Sequence, residues 1–251
     1  MATPSNKILH GKSALITGAS RRIGAGITRH LHSLGAAVGI HCRGSLDEAN
    51  TLCAALNEKR ADSAHVFQAD LNDTARLDGL VASFETWAGG MDILVNNASS
   101  FYPTPLGTIA ESDWDDLVGS NLKAPLFLIQ SAASALRSRN GCIVNLIDIH
   151  ARRPLRDHSV YGAAKAGLAM LTRSFAKDLA PNVRVNGIAP GAIMWPEDGM
   201  SDDAKASILR QIPLGIPGTP DDIAQCVEYL VSAPYVTGQI IAVDGGRSIG
   251  W

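Results

Sequence analysis

Seven short apolar runs recur along the chain: SALITG (13–18), AAVGIHC (36–42), AHVFQAD (64–70), DILVNNA (92–98), CIVNLID (142–148), VRVNGIA (183–189) and QIIAVDG (239–245). Several are nearly continuous in Val, Ile, Leu and Ala, the composition of strands covered by helices on both faces. Between them lie segments of helical periodicity such as AGITRHLHSLG, LDEANTLCAALNEKR and GAAKAGLAMLTRSFAKDLA. Gly35 closes the first of these as a C′ glycine, and Pro181 follows the end of the last. Alternation of this kind predicts an α/β fold, a doubly wound parallel sheet with right-handed crossovers. No linker interrupts it. The Pro- and Gly-rich IPLGIPGTPDD (212–222) is short and sits between helical segments, so 1–251 reads as a single domain.

Composition narrows the function classes. At 46% hydrophobic residues the chain can bury a sizeable core. Its net charge of −2, with no long basic run, argues against nucleic acid as the main partner. Cys42, Cys53, Cys142 and Cys226 lack metal spacing and read as reduced, mostly buried thiols, so no metal site is expected. The N-terminal MATPSNKILHGK has no apolar signal region, and no apolar run reaches the length of a membrane span. A cytoplasmic location without membrane contact is the expectation.

After the first run comes TGASRRIGAG (17–26). Gly18 allows a sharp turn and Gly24 lets helix and strand pack closely, which leaves free N–H groups and a helix dipole for a pyrophosphate. Arg21 and Arg22 stand where smaller residues would suffice. An acid about 20 residues beyond such a loop grips the ribose diol of NAD. Here no acid appears before Asp47. Arg43 instead follows Gly24 by 43 − 24 = 19 positions, with Ser45 close by. A guanidinium and a hydroxyl suit a 2′-phosphate, so NADPH is favoured over NADH.

In NLIDIHARRPLRDHSVYGAAK (145–165), Tyr161 and Lys165 are i and i+4 and share a helix face. An ammonium beside a phenol stabilises phenolate, so a lowered Tyr161 pKa is expected. Asp148 precedes Tyr161 by 161 − 148 = 13 positions. It either takes part in the chemistry or caps the loop after its strand, as Asp commonly does.

These motifs resemble, over essentially the whole chain, the short-chain dehydrogenase/reductase family: TGASRRIG (17–24), Asp70 in QADL, NNAS (96–99), Asn121 in GSNLK, YGAAK (161–165), PG (190–191) and DGG (244–246). The resemblance implies a Rossmann-type sheet of seven strands, nucleotide-dependent oxidoreduction and a homotetramer. It places Gly18, Ser20, Arg21, Arg22, Ile23, Gly24, Arg43, Gly44, Ser45, Asp70, Leu71, Asn97, Ala98, Ser99, Pro190, Gly191 and Ile193 around the cofactor, together with Tyr161 and Lys165. Lys165 would also hold the nicotinamide ribose, and Asn121 a water in a proton relay. Two residues depart from the family pattern: Arg22 replaces a usual glycine and Asp148 a usual serine. With NNASSFYPTPL (96–106), they are similar to the pteridine reductase branch. That likeness implies that Arg22 and Ser99 contact cofactor phosphates and the pterin site, and that Phe101 stacks on the pterin opposite the nicotinamide.

A carboxylate only accepts hydrogen bonds, so Asp148 is a poor partner for a developing alkoxide. A pterin ring offers N–H donors and nitrogens that take up protons, so Asp148 is expected to relay a proton to a ring nitrogen. Burial would raise its pKa for that role. The catalytic set is thus Asp148, Tyr161, Lys165 and Asn121, with Arg22, Ser99, Phe101, Asp148, Tyr161 and Trp195 around substrate. Trp195 either walls the pocket or pins a lid formed by WPEDGMSDD (195–203), inside a substrate-loop insertion near 192–212. Arg152, Arg153 and Arg156 are a solvated face, or one of them meets an anionic tail such as a folate glutamate. The expected reaction is NADPH-dependent reduction of dihydropterins, and of dihydrofolate as a related substrate. The rivals are a ketone or 3-ketoacyl reductase, against which Asp148 and Phe101 count, and a non-catalytic dinucleotide-binding protein.

Overall fold

A computed structural model of the chain describes residues 7–195 and 199–249. Strands β1 (Ser13–Ile16), β2 (Ala37–Cys42), β3 (Ala64–Gln68), β4 (Ile93–Asn96), β5 (Cys142–Leu146), β6 (Arg184–Pro190) and β7 (Ile240–Val243) form one parallel sheet in the order β3-β2-β1-β4-β5-β6-β7. Their inner residues alternate between two apolar layers, as the two-residue period of a strand requires. Ala14, Ile16, Ile93, Val95 and Val144 pack in a layer with α1 (Arg22–Ser33), α2 (Leu46–Lys59) and α8 (Pro220–Ser232). Leu15, Leu94 and Ile143 point the other way, to α3 (Leu77–Ala88), α5 (Ala124–Ser138) and α6 (Ser159–Asp178). Both faces are therefore buried, which explains the near-continuous apolar runs. α4 (Glu111–Val118) and α7 (Asp202–Leu209) complete the helices of the described residues.

Several strands end earlier than the apolar runs do. β1 stops at Ile16, β3 at Gln68, β4 at Asn96 and β5 at Leu146, and the next residues peel off the ladder into loops. Those residues (Thr17, Gly18, Asp70, Asn97, Ala98 and Asp148) are the polar and small ones, so the carboxyl rim of the sheet carries the motif chemistry. Gly35 has φ +107° and ends α1 as expected. The segment near 192–212 contains α7; residues 196–198, part of the expected lid, lie outside the described residues. Among the described residues no helix is long and apolar enough to cross a membrane.

Candidate active site

β1 and β4 are neighbours, but the chain continues from them to opposite sides of the sheet, which opens a crevice between their carboxyl ends. Gly18 turns into it with φ +60°, and a Cβ there would lie 2.9 Å from Ala98 Cα. A Cβ on Gly24 would come within 2.1 Å of the Gly18 carbonyl oxygen, so only glycine lets α1 start this close to the loop. Thr17 Oγ1 accepts from the N–H groups of Asn97 and Ala98 at 2.9 and 3.0 Å. Asn97 Nδ2 donates back to the carbonyls of Thr17 and Gly18. The N-terminus of α1 has neither a side-chain cap nor an acid in its first turn, so its backbone donors face the crevice uncompensated. A groove of about 780 Å³ follows, lined by Gly18, Arg43, Asp70, Ala98, Phe101 and Met194 among others. Its glycine turn and uncapped helix start fit a dinucleotide pyrophosphate.

The sequence-predicted residues of the adenosine end gather at one side of this groove. Ser20 Oγ and Ser45 Oγ are 2.5 Å apart, bridging the glycine loop to the end of β2. Arg21 pairs with Glu48 at 3.6 Å and Arg43 reaches Asp116 at 4.0 Å, both well exposed and free to turn. Ile23 and Gly44 line the same groove. Asp70 caps the next turn by accepting from Asn72 N–H at 3.0 Å, while Leu71 is buried. At the far end Gly191 N–H donates to Val243, placing Pro190 and Gly191 at the tip of β6, and Ile193 is buried.

Arg22 is the unusual member. It adopts φ +51°, a left-handed conformation that suits the glycine usual in this position. Its two terminal nitrogens both donate to the Trp195 carbonyl at 3.3 Å. The side chain thus ties the glycine loop to the segment after β6. Trp195, half-buried, takes part through its backbone carbonyl.

At the catalytic end, Tyr161 and Lys165 lie on α6 and are 4% and 3% exposed. Tyr161 O–H donates to Asp148 Oδ2 at 2.8 Å, while Asp148 Oδ1 accepts from His150 N–H at 2.8 Å. One oxygen of Asp148 caps the short 3-10 turn Ile149–Ala151, as the capping reading expects, and the other meets the phenol. The expected effect of Lys165 on Tyr161 is overturned. Burial, then the charge of Asp148 and the hydrogen bond to it, push the Tyr161 phenol well above its ordinary value. Lys165 Nζ donates to the Leu146 carbonyl at 2.8 Å and sits 5.7 Å from the Tyr161 ring centroid, so it faces the ring rather than the phenol oxygen. Burial lowers Lys165 to about 8, with Asp148 opposing the shift. The pair is an uncharged phenol that keeps its proton and a lysine that loses its charge early.

Asn121 is wholly buried in a π-helical turn, Gly119–Lys123, between α4 and α5. Its Nδ2 donates to the carbonyls of Ser100 and Leu117, while its Oδ1 is buried without a protein partner. A buried orphan acceptor of this kind is where an ordered water is needed.

Phe101, 54% exposed, stacks on His158 (centroids 4.7 Å apart, planes at 23°) and stands edge-on to Tyr161 at 4.8 Å. One face of the ring expected to stack on a substrate is therefore already covered by a histidine that sequence reasoning missed. Ser99 is exposed at the same loop. The loops carrying Phe101 and His158 are also joined by Thr104 N–H donating to the Asp157 carbonyl. The arginines separate: Arg156 is 94% exposed in its side chain, Arg152 is exposed, and Arg153 donates to the Arg247 carbonyl. His41, also missed, bridges the glycine loop and the end of β3; its only sequence signal was a lone polar side chain in an apolar strand.

A doubly wound sheet with a glycine turn at the β1/β4 crevice and a buried Tyr–Lys pair beyond β5 defines an oxidoreductase that works with a nicotinamide dinucleotide. Comparison makes the class specific: the family model described as enoyl-(acyl carrier protein) reductase matches residues 18–248, and the chain belongs to the short-chain dehydrogenase/reductase family. Pteridine reductase 1 of Leishmania tarentolae is 37% identical over 279 residues, covering 94% of this chain and 96% of that protein. The 3-oxoacyl-[acyl-carrier-protein] reductase FabG of Staphylococcus aureus is 38% identical over 240 residues, covering 94% and 97%. A solved structure from Sinorhizobium meliloti 1021, assigned as a short-chain alcohol dehydrogenase, superposes with a TM-score of 0.91 at 32% identity, covering 97% of this chain and 98% of its own.

Proposed function

We propose that this reductase is an NADPH-dependent pteridine reductase, taking dihydropterins, and dihydrofolate as a related substrate, to the tetrahydro level. The observation that carries this reading is the 2.8 Å bond from Tyr161 O–H to Asp148, with the Phe101 ring at the same phenol. A phenol bound to a carboxylate can pass a proton on and have it replaced. The carboxylate accepts from ring N–H groups, and an open aromatic face suits a flat heterocycle. A ketone gains from neither. A reduced nicotinamide bound in the crevice would supply the hydride. Tyr161 and Asp148 hold the accompanying proton for a ring nitrogen, Asn121 orders the water that refills them, and Lys165 holds the cofactor ribose.

For the cofactor, Arg43 with the Ser20–Ser45 pair supports NADPH: they put a guanidinium and two hydroxyls at the edge where an acid would select NADH. The name of the Leishmania tarentolae relative agrees with a pterin substrate. The second reading, reduction of a 3-oxoacyl thioester, is favoured only by the equal likeness to FabG. Following NADPH and NADH consumption against dihydrobiopterin, dihydrofolate, acetoacetyl thioester and simple ketones separates the two. Turnover of dihydrobiopterin and dihydrofolate with NADPH at least tenfold above the thioester and ketones is expected, and faster thioester turnover sinks the proposal. A homotetramer is the proposed assembly, to be checked by light scattering.

A further inference from the structure

His41 is 2% exposed at the penultimate position of β2. Its Nδ1 lies 3.2 Å from Gly18 N and its Nε2 3.2 Å from the Ala69 carbonyl oxygen. A backbone N–H can only donate and a carbonyl only accept, so the imidazole is neutral with its proton on Nε2. Its own carbonyl takes the next donor of the same loop, Ala19 N–H, at 2.8 Å. Three strand ends meet at this one residue: the glycine turn after β1, the end of β2, and Ala69, which directly precedes Asp70. Buried polar groups are expensive unless paired, and both ring nitrogens are paired on the loops that line the dinucleotide groove.

We infer that His41 is a positioning residue of the cofactor site, which couples the pyrophosphate-binding turn at Gly18 to the adenosine-side loop at Ala69–Asp70. Both of its ring nitrogens are engaged by protein groups, so it acts through the two loops it joins. Gly18 sits in a conformation held on one side by Ala98 and on the other by the imidazole, so removing Nδ1 frees the turn on which the α1 donors depend. Removing Nε2 frees the loop carrying Asp70. Desolvation holds the imidazole at about 4, which keeps Nδ1 available as an acceptor at neutral pH. The inference rests on the dinucleotide reading of the groove and is indifferent to the substrate.

The two bonds can be broken separately. Asn places its Oδ1 near the position of Nδ1 and can accept from Gly18, while Gln places its Nε2 near that of the imidazole and can donate to Ala69. Titration calorimetry with NADPH and with 2′,5′-ADP, together with Tm, is measured on the wild type, His41→Ala, His41→Asn and His41→Gln. Expected are roughly tenfold weaker NADPH binding in His41→Ala, from two lost bonds of about 1 kcal/mol each less relaxation, and recovery to within about threefold in His41→Asn, on the same scale. For 2′,5′-ADP, His41→Gln should recover better than His41→Asn. Should His41→Ala fail to fold, the Asn and Gln comparison stands alone. Equal binding in all variants overturns the inference, as does a loss in both Asn and Gln that tracks Tm alone. A wild type that binds neither probe overturns the cofactor reading beneath it.

Discussion

Both rims of the sheet carry buried polar side chains but use them differently. At the amino rim, buried Asp92 accepts from Lys12 Nζ, Ser13 N–H and Ser13 Oγ at 2.9, 3.0 and 3.2 Å. Arg184 donates to the carbonyls of Leu230 and Val231 at 2.6 and 2.7 Å, taking up acceptors that the end of α8 leaves open. A groove of about 690 Å³ lies there too, between Ile8, Lys12, Asp92, Arg184 and Tyr229. Its charged groups already serve the fold. At the carboxyl rim, Asn121 Oδ1 has no protein partner and α1 starts uncapped, while α8, which starts at the same rim, is satisfied by a reciprocal Thr219–Asp222 capping box. Concavity alone therefore does not mark a site; polar groups left for something else do.

The sharpest way to test that contrast is to remove one group from the carboxyl rim and watch activity and stability part company. Tyr161→Phe should lower turnover by roughly 10² to 10⁴, the usual worth of a positioned proton donor. Its Tm should change by no more than about 2 °C, since the ring stays packed. A mutant within threefold of wild type would remove Tyr161 from the chemistry. Asp148→Ser comes next, with dihydropterin turnover lower by roughly 10- to 100-fold, on the lower part of the same scale. If the serine variant keeps full pterin activity, the proton-relay role of Asp148 fails.

Lys165 gives a pH signature at the same rim. Because burial lowers it to about 8 rather than the ordinary 10.5, its ammonium is lost as pH rises through about 8. NADPH affinity should therefore fall above that pH. This group's contribution to folding stability runs the other way: a depressed lysine costs the fold least once deprotonated, so stability from it grows between pH 8 and 10.5. Lys165→Met should abolish the affinity limb, and a limb that persists would assign it to another group. At the amino rim, Asp92→Asn should reverse the pattern, with turnover within about twofold but stability lower by about 1 to 3 kcal/mol, a Tm loss of several degrees. Loss of activity at unchanged Tm would erase the distinction between the rims.

What was legible in the sequence divides along the same line. The alternation of strands and helices is local, written in two periodicities, and the seven parallel strands follow it closely. The carboxyl-rim residues were legible because glycine loops and spaced Tyr–Lys pairs carry their function in fixed order. The ends of the strands were not, since Thr17, Gly18 and Asn97 leave the ladder to bond one another across the crevice. Nor was the acidity of Tyr161: its direction depends on burial and on Asp148 facing it, while Lys165 spends its Nζ on Leu146. His41 and His158 escaped for the same reason, because each acquires meaning only from partners brought near by the fold.

The smallest expected effect concerns Arg22, where local preference and site geometry conflict. Its φ of +51° costs about 1 kcal/mol relative to glycine. The bonds to the Trp195 carbonyl are long at 3.3 Å and exposed, each worth a fraction of a kcal/mol. Relief of the backbone offsets part of what losing the side chain costs, so Arg22→Gly should leave Tm within about 5 °C of wild type. The tie holds the segment after β6 against the glycine loop, so its loss should instead raise the substrate KM by roughly two- to fivefold at unchanged turnover, as expected for lost uniform binding. Steady-state kinetics with dihydrobiopterin measures this directly. A fall in Tm of more than about 5 °C would show that Arg22 serves the fold rather than the site, and would place one carboxyl-rim residue with those of the opposite rim.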